Sequence, residues 1–147
     1  MENYCETLPA FFGGGLGFDG GMASHMIVPS SRFLLPLGSL DPRTAAPLTD
    51  AGLTTYHAVK RSLPLLIPGS TVVIIGIGGL GQMAIQVVKA ISPARVIAID
   101  SSPEKLAIAR SLGADEVLAS DGLAADHVRE LTRGTGADLV LDVVGSD

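Results

Sequence analysis

The sequence contains no tryptophan, one cysteine and few charged residues, and each shortage excludes a class of protein. A single cysteine forms no internal disulfide, which favours a reducing, cytoplasmic setting. No run of several basic residues occurs and the net charge is −5, so a nucleic-acid partner is not expected. The first ten residues carry two acids and no base, unlike a secretory leader.

Aliphatic side chains and glycine are abundant instead. Hydrophobic residues make up 47% of the 147 residues and aromatic ones 4%, so aliphatic packing must build the core. This length suits roughly one domain.

No charged residue occurs between Arg61 and Lys89, which raises a membrane span as an alternative. Two prolines and a dense run of glycines in this interval disfavour a span, and we expect no membrane contact.

A glycine-rich turn is the most informative motif. A β-branched run beginning at Thr71 predicts a buried strand, and it breaks into Gly76-Ile-Gly78-Gly79-Leu-Gly81, a Gly-x-Gly-x-x-Gly pattern. Gly76 permits a sharp turn, and Gly78 leaves room for a pyrophosphate at the backbone. Gly81 lets the following helix lie close to the strand. The phosphates would bind free N–H groups at the amino end of that helix.

An acidic residue follows at the distance that a dinucleotide site requires. The run Val96–Asp100 predicts a second buried strand and places Asp100 19 residues after Gly81. Asp100 would accept hydrogen bonds from the adenosine ribose, and no arginine follows it to receive a 2′-phosphate, which favours NAD over NADP. Between the strands, apolar residues at positions 80, 83, 84, 87, 88 and 91 predict one buried helical stripe.

Strands and helices alternate along the second half of the chain. The pattern predicts strands over 71–76, 95–100, 116–119 and 139–144, and helices over 79–91, 103–112 and 122–133. This alternation predicts an α/β fold with a partial Rossmann-type parallel sheet of about four strands. A helix is expected earlier, starting at Asp41 and either continuing or restarting through Ala45 to about Leu63, and strand-like pieces are expected over 26–29 and 33–36. We expect domains over 1–40 and 41–147, as part of a longer protein.

The segments Asn3-Tyr-Cys5 and Pro47–His57, with the glycine turn and Asp100, resemble the zinc-dependent medium-chain alcohol dehydrogenases, most closely their bacterial NAD-dependent secondary-alcohol members. The resemblance implies a remnant of a GroES-like catalytic domain over 1–40 and a partial NAD-binding Rossmann domain over 41–147. It implies hydride transfer between a small alcohol or ketone and NAD in a homo-oligomeric, zinc-containing parent enzyme. The chain alone would be inactive, because two catalytic zinc ligands are missing.

The resemblance also implies roles for individual residues. Asp50 would be the third protein ligand of the catalytic zinc, Thr54 would touch the nicotinamide, and Cys5 would bind a structural zinc in the parent. The implied cofactor-binding residues are Gly76, Gly78, Gly79, Leu80, Gly81, Asp100, Lys105, Val144 and Gly145.

Several alternatives stay open at this point. Asp50 lies in a stretch, 45–54, that looks buried, but a solvated or capping aspartate is the plain alternative. Cys5 by itself is an idle thiol or a small core residue. Asp142, close to the end of the last strand, has either a cleft-facing or a structural role. For the whole chain, the alternatives are a zinc-free medium-chain quinone reductase and a non-catalytic dinucleotide-binding module.

Overall fold

The computed structural model describes residues 13–15 and 17–145, which divide into two compact units with a boundary between Ser39 and Leu40. In the first unit, two very short parallel strands pair, β1 (Gly13–Gly14) and β2 (Gly17–Phe18). A single 3-10 turn, Ser31–Phe33, follows. Cys5 lies outside the described residues.

The prediction of strand-like pieces over 26–29 and 33–36 is wrong. Neither segment is a strand, and Phe33 ends the 3-10 turn, which Ser30 begins by accepting a hydrogen bond from the Arg32 N–H at 3.4 Å. Ile27 and Leu35 are largely exposed. An apolar run becomes a strand only where a neighbouring strand supplies backbone hydrogen bonds, and no such pairing is found here within the described residues.

The second unit begins with helices. Asp41 caps α1 (Pro42–Ala45) by accepting the Arg43 N–H at 2.9 Å, as its Asp-Pro sequence predicts. A 3-10 turn (Ala46–Thr49), α2 (Ala51–Ser62) and another 3-10 turn (Leu63–Leu65) follow. Of the two alternatives predicted for the helix from Asp41, the structure shows the one in which the helix stops and restarts. Its break falls at Asp50, whose backbone has φ −126° and ψ −77° and lies outside the helical region.

The remaining elements alternate as predicted. They are β3 (Thr71–Ile75), α3 (Gly79–Ile91), β4 (Arg95–Asp100), α4 (Pro103–Ser111), β5 (Glu116–Ala119), α5 (Ala124–Leu131) and β6 (Leu139–Asp142). All four of these strands are parallel, in the order β5-β4-β3-β6, which confirms the predicted α/β sheet. The last strand ends at Asp142, two residues earlier than expected, and α5 is shorter than expected at both ends.

Aliphatic side chains fill the core, as the composition requires. β3 and β4 are buried on both faces, with Val72, Ile74 and Val96 fully buried on one side among residues of α2 and α3. Val73, Ile97 and Ile99 form a second cluster with Val128 of α5. A central parallel strand covered on both faces has this uninterrupted apolar character.

Two aspartates connect neighbouring strands by hydrogen bonds near the amino ends of the strands. Asp138, just before β6, accepts the Thr71 N–H at 2.7 Å, and its own N–H donates to the Thr71 carbonyl at 2.9 Å. Asp115, just before β5, accepts the Val96 N–H at 2.7 Å and pairs with Lys89 of α3 at 3.1 Å. These contacts align the outer strands with the central pair.

Among the described residues, no helix is long and apolar enough to cross a membrane.

Candidate functional site

The glycine turn joins the carboxyl end of β3 to α3, and two of its glycines are sterically required. Gly76 has a φ of +90°, and a Cβ added there would overlap the Val144 side chain. Its N–H extends the sheet by donating to the Ile99 carbonyl at 2.8 Å. A Cβ on Gly81 would overlap the Gly76 carbonyl oxygen. The first turn of α3 therefore lies against the strand end, as the motif predicts.

Gly78 is different, because nothing lies within 4 Å of the position that its Cβ would occupy. It stands at the N-cap of α3 with no side-chain cap, and the first helical hydrogen bond runs from the Gln82 N–H to the Gly78 carbonyl at 3.0 Å. The N–H groups of Gly79, Leu80 and Gly81, in the first turn of α3, have no carbonyl partner within the helix. Open space beside such N–H groups, at the positive end of a helix, fits a phosphate.

Asp100 ends β4 beside the turn and is only 7% exposed. Its Oδ2 accepts the Ile77 N–H at 2.7 Å, and its Oδ1 accepts the Ser102 N–H at 2.8 Å. Lys105 Nζ lies 3.8 Å from Oδ2. Burial raises the pKa of the Asp100 carboxyl, but the two N–H donors and Lys105 outweigh burial and bring its pKa below the ordinary value. The group is therefore an anion at neutral pH, with lone pairs left for further donors.

These groups line one cleft of about 480 Å³ at the carboxyl edge of the sheet. Its walls are formed by Asp50, Ala51, Gly76, Gly78, Gly79, Leu80, Gly81, Asp100, Lys105, Val143 and Val144. Parallel α/β sheets bind ligands at this edge, where neighbouring strands diverge into loops. Sequence reasoning missed Ala51 and Val143, although both are direct neighbours of predicted residues.

The remaining predicted residues lie elsewhere. Thr54 is exposed in α2 and Gly145 follows the cleft wall, and neither lines the cleft. Cys5 is outside the described residues, so its predicted role has no structural counterpart here. The roles assigned to all the site residues stay predictions, because position alone does not establish what a residue binds.

Asp50 reaches the cleft from the start of α2. Its carbonyl accepts the Thr54 N–H at 2.8 Å, which fixes their i, i+4 relation, but its carboxylate makes no side-chain capping bond. The expected burial of this stretch is wrong, because Asp50 and most of its neighbours are exposed and only Ala45, Gly52 and part of Ala51 are shielded.

A zinc site does not follow from this geometry. In the part of the chain that the structure describes, no three His, Cys, Asp or Glu side chains are close enough together to hold a metal ion. Catalytic zinc takes three protein ligands and an open position, and Asp50 supplies one carboxylate. The cleft fits a phosphorylated ligand, whereas the described residues do not by themselves fit a catalytic zinc.

The fold and the cleft define a Rossmann-type α/β protein with a glycine turn at its sheet edge. Residues 79–147 match the zinc-binding dehydrogenase family. The chain is 43% identical to an NAD-dependent alcohol dehydrogenase of Sulfurisphaera tokodaii, over 99% of this chain and 41% of that protein. It is 39% identical to a D-arabinose 1-dehydrogenase (NADP(+)) of Saccharolobus solfataricus, over 88% of this chain and 38% of that protein.

A solved structure agrees with these relatives. The alcohol dehydrogenase of the hyperthermophilic archaeon Aeropyrum pernix superposes with a TM-score of 0.87 and 43% identity, over 98% of this chain and 42% of that one. These comparisons confirm the resemblance to the zinc-dependent medium-chain alcohol dehydrogenases. The chain spans about 41% of the length of the curated relatives it matches.

Proposed function

We propose that the chain binds NAD(H) in the cleft at the sheet edge, as part of an oxidoreductase acting on an alcohol or ketone. The observation that carries this proposal is the pairing of an open Gly78, at the start of α3, with the ionised Asp100 beside it. The first suits a pyrophosphate and the second suits a ribose diol. The NAD-dependent alcohol dehydrogenases among the relatives support the same ligand.

The order of the strands sets the direction of the proposed ligand. Asp100 ends β4, the glycine turn ends β3, and Val144 follows β6 on the other side of β3. The adenosine half then lies over β4 with Asp100 and Lys105, and the pyrophosphate lies on the turn. The nicotinamide half extends toward Val144, with Leu80 behind it and Gly145 at the far end.

The proposed reaction is hydride transfer. Bound NAD supplies the hydride acceptor, and this chain's residues bind and orient it. A secondary alcohol is the proposed substrate class, from the resemblance at Asp50. In that proposal Asp50 is one of three ligands of a catalytic zinc in the parent, Thr54 faces the nicotinamide, and Cys5 binds a structural zinc. The first 40 residues would then belong to the catalytic domain of a homo-oligomeric parent.

NAD is the proposed cofactor rather than NADP. The Asp100 carboxylate is anionic and lies where a 2′-phosphate would approach, and Ser101 and Ser102 offer no cation. One relative is an NADP(+)-dependent D-arabinose dehydrogenase, so the relatives alone do not decide the cofactor.

The test of the proposed site is Gly78→Ala. The added methyl group meets no protein atom within 4 Å but occupies the space proposed for the pyrophosphate. We expect NADH affinity to fall at least about ten-fold. The free energy of unfolding should change by less than about 1 kcal/mol, because a poorer N-cap is offset by reduced freedom of the unfolded chain. The fluorescence of the reduced nicotinamide measures the binding.

The matched control is Gly21→Ala. Its Cβ would make only an ordinary contact, 3.5 Å from Met26 Sδ, and Gly21 does not line the cleft. It should bind NADH as the unmodified chain does. Equal affinity of the Gly78 and Gly21 variants would contradict the proposal. A clear preference of the unmodified chain for NADPH would instead favour a zinc-free medium-chain reductase.

A further inference from the structure

Asp142 is the last residue of β6, and its side chain turns back onto the backbone that follows it. Its Oδ1 accepts the Val144 N–H at 2.9 Å and the Gly145 N–H at 3.3 Å. The strand ladder continues one residue further, because the Val143 N–H donates to the Ile75 carbonyl at 3.1 Å. After Val143, the next two backbone N–H groups donate to the Asp142 side chain instead of to a neighbouring strand.

The segment held in this way is a wall of the cleft. Val143 and Val144 both line it, and the Val144 side chain fills the position that a Cβ on Gly76 would need. The wall therefore packs directly on the glycine turn. Gly145, with a φ of +68°, then redirects the chain. A shift of this short turn would change the cleft at its β6 end while leaving the β4 end, with Asp100, in place.

We propose that Asp142 is a positioning residue for the cofactor: it holds the Val143–Gly145 turn so that the cleft accepts the nicotinamide half of NAD(H). The inference rests on the proposed NAD(H) site. Asp142 acts through the backbone N–H groups of Val144 and Gly145, without touching the ligand, and an oxygen acceptor rather than a negative charge performs this role. Asn, which keeps the oxygen, should therefore replace Asp142, whereas Ala should not.

The experiment compares NADH with ADP, which has the adenosine and diphosphate but no nicotinamide half. The unmodified 147-residue chain, Asp142→Ala and Asp142→Asn are titrated with each ligand. Asp142→Ala removes both exposed hydrogen bonds of the turn and should weaken NADH binding about five-fold, while ADP binding should change less than about two-fold. Asp142→Asn should match the unmodified chain with both ligands. The unchanged ADP affinity also shows that the variant is folded.

Each other outcome is decisive. Equal losses with NADH and ADP, or unchanged NADH affinity in Asp142→Ala, would overturn the positioning role while leaving the NAD(H) site intact. Failure of Asp142→Asn to restore binding would assign the role to the charge instead of the acceptor oxygen and also overturn the inference. If the unmodified chain binds ADP but not NADH, or binds neither, the proposed NAD(H) site falls and the inference falls with it.

Discussion

Two glycines of the turn meet separate physical demands of the fold. Gly76 needs a positive φ beside a valine side chain, and Gly81 needs a backbone-to-backbone approach that no Cβ allows. Gly78 meets neither demand, because its surroundings are open. Gly76 and Gly81 are explained by the fold, whereas Gly78, like Gly79, has open space beside it that a ligand would use. The glycines of one motif can therefore be required for different reasons, some by the fold and some by a ligand. The space around each glycine distinguishes the two reasons.

Asp100 is the residue that should set cofactor preference. Asp100→Asn removes the charge that opposes a 2′-phosphate, so we expect the NADH-to-NADPH affinity ratio to fall about ten-fold. The amide also places an N–H₂ group near the Ile77 or Ser102 N–H, which the carboxylate now accepts from. The free energy of unfolding should therefore drop by about 1–3 kcal/mol. Titration with both cofactors and urea unfolding measure the two effects.

Ser101→Ala is the control for Asp100→Asn, because it changes the next residue without changing charge. An unaltered affinity ratio in Asp100→Asn, with the expected loss of stability, would show that this carboxylate serves the fold alone.

Elements of the sheet are joined at their amino ends by carboxylates. Asp115 contacts β4 through the Val96 N–H and α3 through Lys89, so one side chain holds three elements. Burial raises the pKa of the Asp115 carboxyl, but the Val96 N–H and the charges of Lys89 and Arg95 outweigh it and lower its pKa below the ordinary 3.8. The folded state therefore binds the proton more weakly than the unfolded state does.

The sign of the pH dependence follows from that lowered pKa. Asp115 contributes its full stabilisation above the unfolded pKa of about 3.9 and loses it as the pH falls through the lower, folded pKa. Asp115→Asn should cost on the order of 1 kcal/mol at about pH 7, a modest value because the side chain is partly solvated. The difference from the unmodified chain should shrink as the pH falls through the lowered pKa of the folded state, and a series of urea unfolding curves at decreasing pH measures it.

Glu130→Gln provides the comparison, since Glu130 is an exposed acid of α5. Its effect on the free energy of unfolding should be small, because an exposed side chain makes few contacts in the folded state. A stability difference for Asp115→Asn that stays constant from neutral to acid pH would contradict a role for the Asp115 charge.

At the scale of the whole molecule, the described residues form a cleft at the sheet edge but no complete metal site. Within the described residues, Asp50 has no second and third ligand beside it. We therefore predict that the dialysed 147-residue chain contains well below one zinc per chain, and that it does not oxidise a secondary alcohol with NAD. Metal analysis and a 2-propanol assay measure these quantities.

Asp50→Asn is the matched variant for that prediction, and it should leave the zinc content unchanged. One zinc per chain that disappears in Asp50→Asn, with turnover in the unmodified chain, would refute the prediction. Such a result would also make Asp50 a ligand in this chain.

Local sequence patterns were sufficient to predict the alternating strands and helices and the glycine turn. The apolar run of β3, the helical stripe of α3 and the position of Asp100 after Gly81 depend on neighbours in sequence, and periodicity and glycine stereochemistry determine them. The same patterns failed over 26–29 and 33–36, where the apolar residues pair with no strand among those that the structure describes. They also failed on the burial around Asp50, which depends on what packs against α2.

The tertiary structure decided the contacts between distant residues. The sequence by itself determined that Asp100 follows the second strand, but not that its carboxylate binds the Ile77 N–H, 23 residues away. Asp138 and Thr71 are 67 residues apart and meet only because β6 lies beside β3. The role of Asp142 was undecided in sequence, since a strand-end aspartate bonds either its own backbone or a ligand. Strand order and the path of the chain after β6 settle such contacts, because hydrogen bonds need atoms brought within about 3 Å, and periodicity carries no information on that distance.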